Sequence, residues 1–227
     1  LQGATDYSDN SVYARLGITG LGPTGTRRIA AMAHKTGIRS SISTNDAMIL
    51  GGLKVGVSPL DMAHAYETFA TGGNRVYDPV LGSSQQGPAG IAQINCPSAC
   101  PQKLLSLNPV YQRVMPQNVA QQVHDMLTGV VQSGTGTQAG ISGVDVAGKT
   151  GTTTNYADAW FVGWTPQLTT AVWVGFPNRL VPMSTLYNGG PVEGGSFPAI
   201  IWRDFMTQAL QILADEQAAN TLSLIHI

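Results

Sequence analysis

Apolar residues recur at helical spacing in three stretches of the chain and at strand spacing in one. Between residues 25 and 39, GTRRIAAMAHKTGIR sets Ile29, Met32 and Ala33 a turn apart, adds His34 and Lys35, and stops at Gly37. This spacing predicts a helix closed by a glycine able to adopt left-handed backbone, with cations at its negative end. A second helix is signalled by Ser58 as N-cap, Pro59 at the first position and Asp61 in a capping box. Leu60, Ala63, Tyr66 and Phe69 are expected to face inward, with Gly72 and Gly73 as terminators. His64 on this helix has no second ligand one turn on, so it is read as a packing residue. A third helix is expected from Pro116 through Val119, Val123, Met126, Leu127 and Val130, breaking at GTG, residues 134–136.

After residue 144 the period changes. VDVAGKTGTT, DAWFVGWTP and LTTAVWVGF are rich in β-branched and aromatic residues and are separated by short polar breaks, which predicts three neighbouring antiparallel strands. The triplet KTG occurs twice, at Lys35–Gly37 and at Lys149–Gly151. The first is expected to be a helix end. The second places Lys149 on a strand between Gly148 and Gly151, where missing side chains would leave backbone open to the main chain of a ligand; a solvent-facing lysine on an edge strand is the plainer alternative.

Composition narrows the class. The 227 residues and 43% hydrophobic content suit one globular domain with a sizeable core. Twelve Lys+Arg against thirteen Asp+Glu, with no run of like charge, argue against nucleic acid or an acidic membrane surface as partner. No apolar run reaches the length of a membrane span, and no basic, apolar leader opens the chain. Cys96 and Cys100, in INCPSACPQ, form either a local disulfide, which would imply an oxidising compartment, or two free thiols; as metal ligands they would make an incomplete site. No metal or cofactor is expected. LSLIHI, residues 222–227, is also the translation of a transposon-end adaptor, so the domain is expected to occupy 1–221.

The residues SDN at Ser8, Asp9 and Asn10 stand before SVYARL and by themselves suit a helix-capping cluster. Together with a KTG on a strand far downstream, they match two of the three motifs of serine penicillin-recognising enzymes; the third is S-x-x-K. YSDNSVYARL, SPLDMAHAYETFATGG, KTGTTTNYADAWFVGWTPQLTTAVWVGF and GGSFPAIIWRDFM resemble the C-terminal transpeptidase domain of class A, bifunctional penicillin-binding proteins. The resemblance covers most of residues 1–210 and is weakest over 77–115 and 177–190, which read as variable loops.

The resemblance implies an α/β (α+β) fold of the penicillin-binding transpeptidase and serine β-lactamase kind, an antiparallel sheet with helices on both faces. It implies an extracytoplasmic D,D-transpeptidase that joins peptidoglycan stem peptides ending in D-Ala-D-Ala through a serine acyl-enzyme and is acylated by β-lactams. Its parent would carry an upstream glycosyltransferase domain and a membrane anchor. By resemblance, Ser8 relays a proton, Asn10 holds the substrate backbone, Lys149 supplies positive charge, and Thr150 and Thr152 bind the terminal carboxylate. The Thr152 N–H serves an oxyanion hole, Gly151 keeps the strand open to a strand-like substrate, and Asp9 is structural.

No serine is followed by lysine at the third position, and no G-x-S-x-G replaces that motif. The chain is therefore expected to start after its nucleophile and to be inactive by itself. Its sheet would then have an unpaired edge, with uncovered apolar side chains in WFVGW and VWVGF. A β-lactamase is disfavoured because no glutamate lies between Ser11 and Tyr66. A D,D-carboxypeptidase stays open, as does a non-catalytic peptide-binding module of the same fold.

Overall fold

The computed structural model describes residues 1–82, 86–95 and 104–225. Cys96 and Cys100 lie outside the described residues. The chain forms two compact units, one of Leu1 and Asp9–Asp125, the other of Gln2–Ser8 and Met126–Ile227. In chain order, α1 (Gln2–Asp6), α2 (Asn10–Arg15), α3 (Gly25–Thr36) and α4 (Pro59–Ala70) precede the short strands β1 (Asn74–Tyr77), β2 (Gln93–Asn95), β3 (Leu104–Ser106) and β4 (Val110–Arg113). Helix α5 (Gln117–Gln132), strands β5 (Ala147–Thr152), β6 (Asp158–Trp164) and β7 (Thr169–Gly175), and helix α6 (Phe197–Ile225) follow.

In the first unit, α3 ends as its sequence predicts. Gly37 takes φ 131°, and its N–H bonds back to Ala33 and His34. The Ser58 side chain accepts from the Asp61 N–H at 3.1 Å with Pro59 in the first turn, so α4 also starts where expected.

The inward face of α4 is a correction. Leu60 is 55% exposed, and the buried positions are Asp61, His64, Ala65 and Thr68. The three polar members of this stripe, Asp61, His64 and Thr68, can be buried because each makes at least one hydrogen bond. The Asp61 carboxylate accepts from Arg39 Nε at 2.8 Å and from Ser40 Oγ at 3.2 Å, His64 Nε2 donates to Val76 O at 2.7 Å, and Thr68 Oγ1 donates to Thr36 O at 2.9 Å. Of the residues expected inward, Ala63, Tyr66 and Phe69 are half-buried and only Leu60 is misplaced; apolar periodicity missed the polar stripe because that stripe docks through hydrogen bonds. Burial pulls the Asp61 carboxyl upward, but Arg39 and Ser40 outweigh it and hold its pKa below the ordinary value.

Residues 77–115 hold more than loops. β1 pairs antiparallel with β4, and β2 with β3. Strands of three or four residues, with β2 and β4 exposed along their length, have no buried face to impose alternation on the sequence.

In the second unit, β5, β6 and β7 form the expected antiparallel sheet in that order. β5 and β7 each pair on one side only among the described residues. The four-residue loop 154–157 joins β5 to β6, with Asn155 at φ 62° and Tyr156 at φ 56°. Thr153 closes its base, donating from N–H to Asp158 O at 3.0 Å and accepting from the Asp158 N–H at its hydroxyl at 2.8 Å.

Helix α6 packs over the sheet through Ala199, Trp202 and Met206, which are fully buried like Phe161 and Ala139 and cluster with the buried Val131 and Val146. The Phe161 and Trp202 rings meet edge to face at 5.3 Å, and the indole N–H donates to Thr170 O at 3.1 Å, so that a large apolar group is buried without orphaning its donor. The expectation of uncovered side chains is corrected here for all but Phe176, which is exposed: Phe161, Val162 and Trp164 of β6 are buried, and the side chains of β7 are half-buried. The backbone of α6 continues through Ile225, so residues 222–225 are helical. No described helix is long and apolar enough to cross a membrane.

Candidate active site

The two KTG lysines have different surroundings. Lys35 is exposed in the last turn of α3. Lys149 is half-buried on β5, and its Nζ donates to Ser8 Oγ at 2.9 Å and to Thr150 O at 3.2 Å. Burial lowers the Lys149 pKa from the ordinary 10.5 to about 8. A cation poised there can give up a proton near neutral pH, and the hydroxyl it touches can both donate and accept.

Ser8 is carried to Lys149 by α1. The Asp6 carbonyl that ends this helix accepts from the Thr135 N–H at 2.9 Å, and Gln2 Nε2 donates both to Asp6 Oδ1 at 2.7 Å and to Met126 O at 3.2 Å. The approach requires glycines. A Cβ on Gly134 would stand 2.1 Å from Asp6 O, and one on Gly129 would stand 2.4 Å from Asp6 Oδ1. Ser8 itself takes φ 56°, left-handed backbone uncommon outside glycine.

Asp9 accepts at its carboxylate from Ser11 N–H, Ser11 Oγ and Val12 N–H, capping α2. The Ser11 hydroxyl and then the Val12 N–H hold its carboxyl below the usual range. The capping reading of SDN thus holds for Asp9, while the adjacent Ser8 is the residue that meets Lys149. Asn10 is the first residue of α2, exposed, and belongs to the first unit.

The ladder fixes which backbone groups of β5 are free. Thr153 and Asp158 form a bonded pair, so alternation along an antiparallel ladder makes Gly151–Trp160 and Lys149–Val162 bonded as well. The N–H and C=O groups of Thr150 and Thr152 therefore point away from β6, onto the open edge. The bond from Lys149 Nζ to Thr150 O lies on that edge.

The two glycines flanking Lys149 serve internal packing, which revises the expectation that both lie uncovered. Gly148 is buried, and a Cβ there would stand 2.6 Å from the Phe161 ring. Over Gly151 lies Gly194, whose own Cβ would meet Gly151 N and O at 2.7 Å and Trp160 O at 2.3 Å. The Gly194 N–H donates to Thr152 Oγ1 at 3.0 Å, leaving the Thr152 hydroxyl proton to bond elsewhere.

Sequence reasoning missed Thr135, Gly194 and Gly195. Thr135 Oγ1 lies 2.6 Å from Thr150 Oγ1. GTG was legible only as a helix break, and a glycine pair gives no clue to the strand it covers. Among the described residues no three His, Cys, Asp or Glu side chains are grouped to hold a metal.

The family profile described as "Penicillin binding protein transpeptidase domain" matches residues 1–201. Penicillin-binding protein 1F of Bacillus subtilis is 34% identical over 169 residues, 72% of this chain and 21% of that protein. Penicillin-binding protein 1A of Neisseria meningitidis is 35% identical over 181 residues, 78% of this chain and 21% of that protein. The chain thus spans about a fifth of the length of these relatives. Among solved structures, the D,D-transpeptidase domain of a peptidoglycan glycosyltransferase from Eggerthella lenta superposes with a TM-score of 0.64 at 24% identity, covering 94% of this chain and 53% of that one. Penicillin-binding protein A from Mycobacterium tuberculosis gives 0.65 at 22%, covering 92% and 51%. Both likenesses establish the fold. A lysine on an open strand edge, bonded to the serine of an SDN, agrees with the profile and the relatives: this chain belongs to the penicillin-binding protein transpeptidase family.

Proposed function

We propose that these residues are the downstream part of a serine D,D-transpeptidase, and that the observation carrying this reading is the 2.9 Å bond from Lys149 to Ser8 beside the open edge of β5. The nucleophile is supplied by an S-x-x-K segment outside this sequence. Its hydroxyl oxygen attacks the carbonyl between the two D-Ala residues of a stem peptide, the terminal D-Ala leaves as an amine, and the ester is passed to the amine of a neighbouring stem. Ser8 carries a proton toward the departing amine, with Lys149 holding its hydroxyl. Thr150 and Thr152 receive the terminal carboxylate, Asn10 steadies the substrate amide, and the outward N–H of Thr152 is one donor to the oxyanion. Gly151, closely packed beneath the side-chain-free Gly194, keeps β5 in place for the substrate to lie along its edge as an added strand.

β-Lactams acylate the same serine. The parent acts outside the cytoplasmic membrane, anchored to it and joined to an upstream glycosyltransferase domain; the last of these is supported by the Eggerthella lenta structure, which is the transpeptidase domain of a peptidoglycan glycosyltransferase. Without the nucleophile, these 227 residues have no covalent chemistry.

The test uses a chain extended upstream through the S-x-x-K segment. Given a D-Ala-D-Ala donor and an amine acceptor, it should be labelled by a fluorescent penicillin and should form the cross-linked amide. Label with release of D-Ala but no cross-link would favour a carboxypeptidase, rapid loss of label a β-lactamase-like hydrolase, and absence of label a peptide-binding module.

A further inference from the structure

We propose that Thr135 is a positioning residue that orients the Thr150 hydroxyl toward the substrate's terminal carboxylate; the inference rests on the transpeptidase reading above. The two hydroxyl oxygens are 2.6 Å apart, and each hydroxyl has a single proton. Two arrangements exist. If Thr150 donates to Thr135, the lone pairs of Thr150 face outward and repel an anion. If Thr135 donates to Thr150, the Thr150 proton is free to point at a carboxylate, and the donation it receives polarises that proton further. An arriving carboxylate selects the second arrangement, so Thr135 sets how well Thr150 serves as donor without touching the ligand.

The Thr135 backbone is held on both sides. Its N–H donates to Asp6 O at 2.9 Å, and its carbonyl is packed so closely by Gly195 that a Cβ there would stand 2.2 Å from Thr135 O. Gly134 lets the chain pass Asp6, as described above. One threonine thus joins the segment that carries Ser8, the KTG strand and the glycine pair before α6. Its side chain is exposed and that of Thr150 half-buried, so the hydroxyl pair lies where solvent and ligand can reach.

The experiment compares Thr135→Val and Thr135→Ser in the chain extended through its nucleophile. Donors ending in D-Ala-D-Ala carboxylate and in the matching carboxamide are assayed in parallel. With the carboxylate donor, Thr135→Val should raise KM about tenfold with kcat within about twofold, the pattern of a lost binding interaction with a charged group. Thr135→Ser should restore KM to within about twofold. With the carboxamide donor, slower from the outset, Thr135→Val should cause no further loss. Equal loss on both donors, or failure of serine to rescue, would make Thr135 a packing residue and overturn the inference; so would an unchanged KM for Thr135→Val in an active parent. An extended parent that takes no penicillin label would refute the transpeptidase reading and this inference with it.

Discussion

Lys149 Nζ and Ser8 Oγ are 2.9 Å apart although 141 residues separate them in the chain. The contact sets Lys149 apart from the exposed Lys35 and is the reason for assigning it the chemical role proposed above. In the nucleophile-bearing parent, Lys149→Ala should cut acylation by fluorescent penicillin at least about a hundredfold, the low end for loss of a proton-transfer partner. Lys35→Ala should leave labelling unchanged. Equal loss from both variants, read from gel fluorescence against time, would break the assignment.

The chain as written should form no penicilloyl adduct. Ser8 meets a lysine but has none three residues on, the arrangement that activates the family's nucleophile. Intact-mass measurement after incubation with excess benzylpenicillin should give the unmodified mass. A stoichiometric increase mapped to Ser8 would show that the nucleophile lies within these residues.

Burial of Lys149 should also register in stability. Its folded-state pKa is about 8 against an ordinary 10.5, so above pH 8 the folded protein releases this proton while the unfolded chain still holds it. Stability from this site therefore rises with pH between about 8 and 10.5. The difference in urea midpoint between the parent and its Lys149→Met variant, measured at pH 8 and pH 10, should shift in favour of the parent at the higher pH. A shift in the opposite sense would mean that the ammonium is held by a charge partner.

His64 should give the opposite trend. Its Nε2 donates to Val76 O, and its Nδ1 is buried with no hydrogen-bond partner, facing Gly37. Burial first, then Arg75 and Arg39, lower its pKa below 6.5, against the Val76 bond and Asp61, which raise it. Glu67 Oε2, 3.9 Å from Nε2, has its own pKa raised by burial. The unfolded chain takes up the proton first as pH falls, so this site's stabilisation is complete above about 6.5 and declines below it. The urea midpoint should fall between pH 7 and 5.5, and less steeply in His64→Gln. Identical slopes would show that His64 takes up its proton equally in the folded and unfolded states.

Gly194→Ala tests the close packing over β5. Its methyl would meet Trp160 O at 2.3 Å and both backbone polar atoms of Gly151 at 2.7 Å. None of these is a flexible side chain, so the turn must move. A loss of roughly 1–3 kcal/mol is expected from the denaturant midpoint, with loss of acylation in the parent. An unchanged midpoint would show that the turn gives way freely.

The elements legible in the sequence were those governed by local chemistry. Ser58, Pro59 and Gly37 mark helix ends because capping acts within a few residues, and β5 to β7 carry enough β-branched and aromatic residues to declare themselves. Ser8 and Lys149 were legible as two spaced motifs. What stayed hidden depends on partners distant in sequence. Asp61 and Thr68 turn inward because Arg39, Ser40 and the Thr36 carbonyl receive them, and no periodicity records that. Thr135 and Gly194 are recognisable only once the strand they touch is in place.

The loop 154–157 acts as a ruler for the site. Side chains alternate along β5, so a slip of one residue against β6 would put Lys149 on the opposite face, away from Ser8, with Thr150 in its place. Four loop residues, two of them in left-handed backbone, and the closure between Thr153 and Asp158 set where counting begins. Changes of length are thus more dangerous here than changes of identity: removing one residue from the loop would preserve every motif letter and still aim the lysine at the wrong side of the sheet.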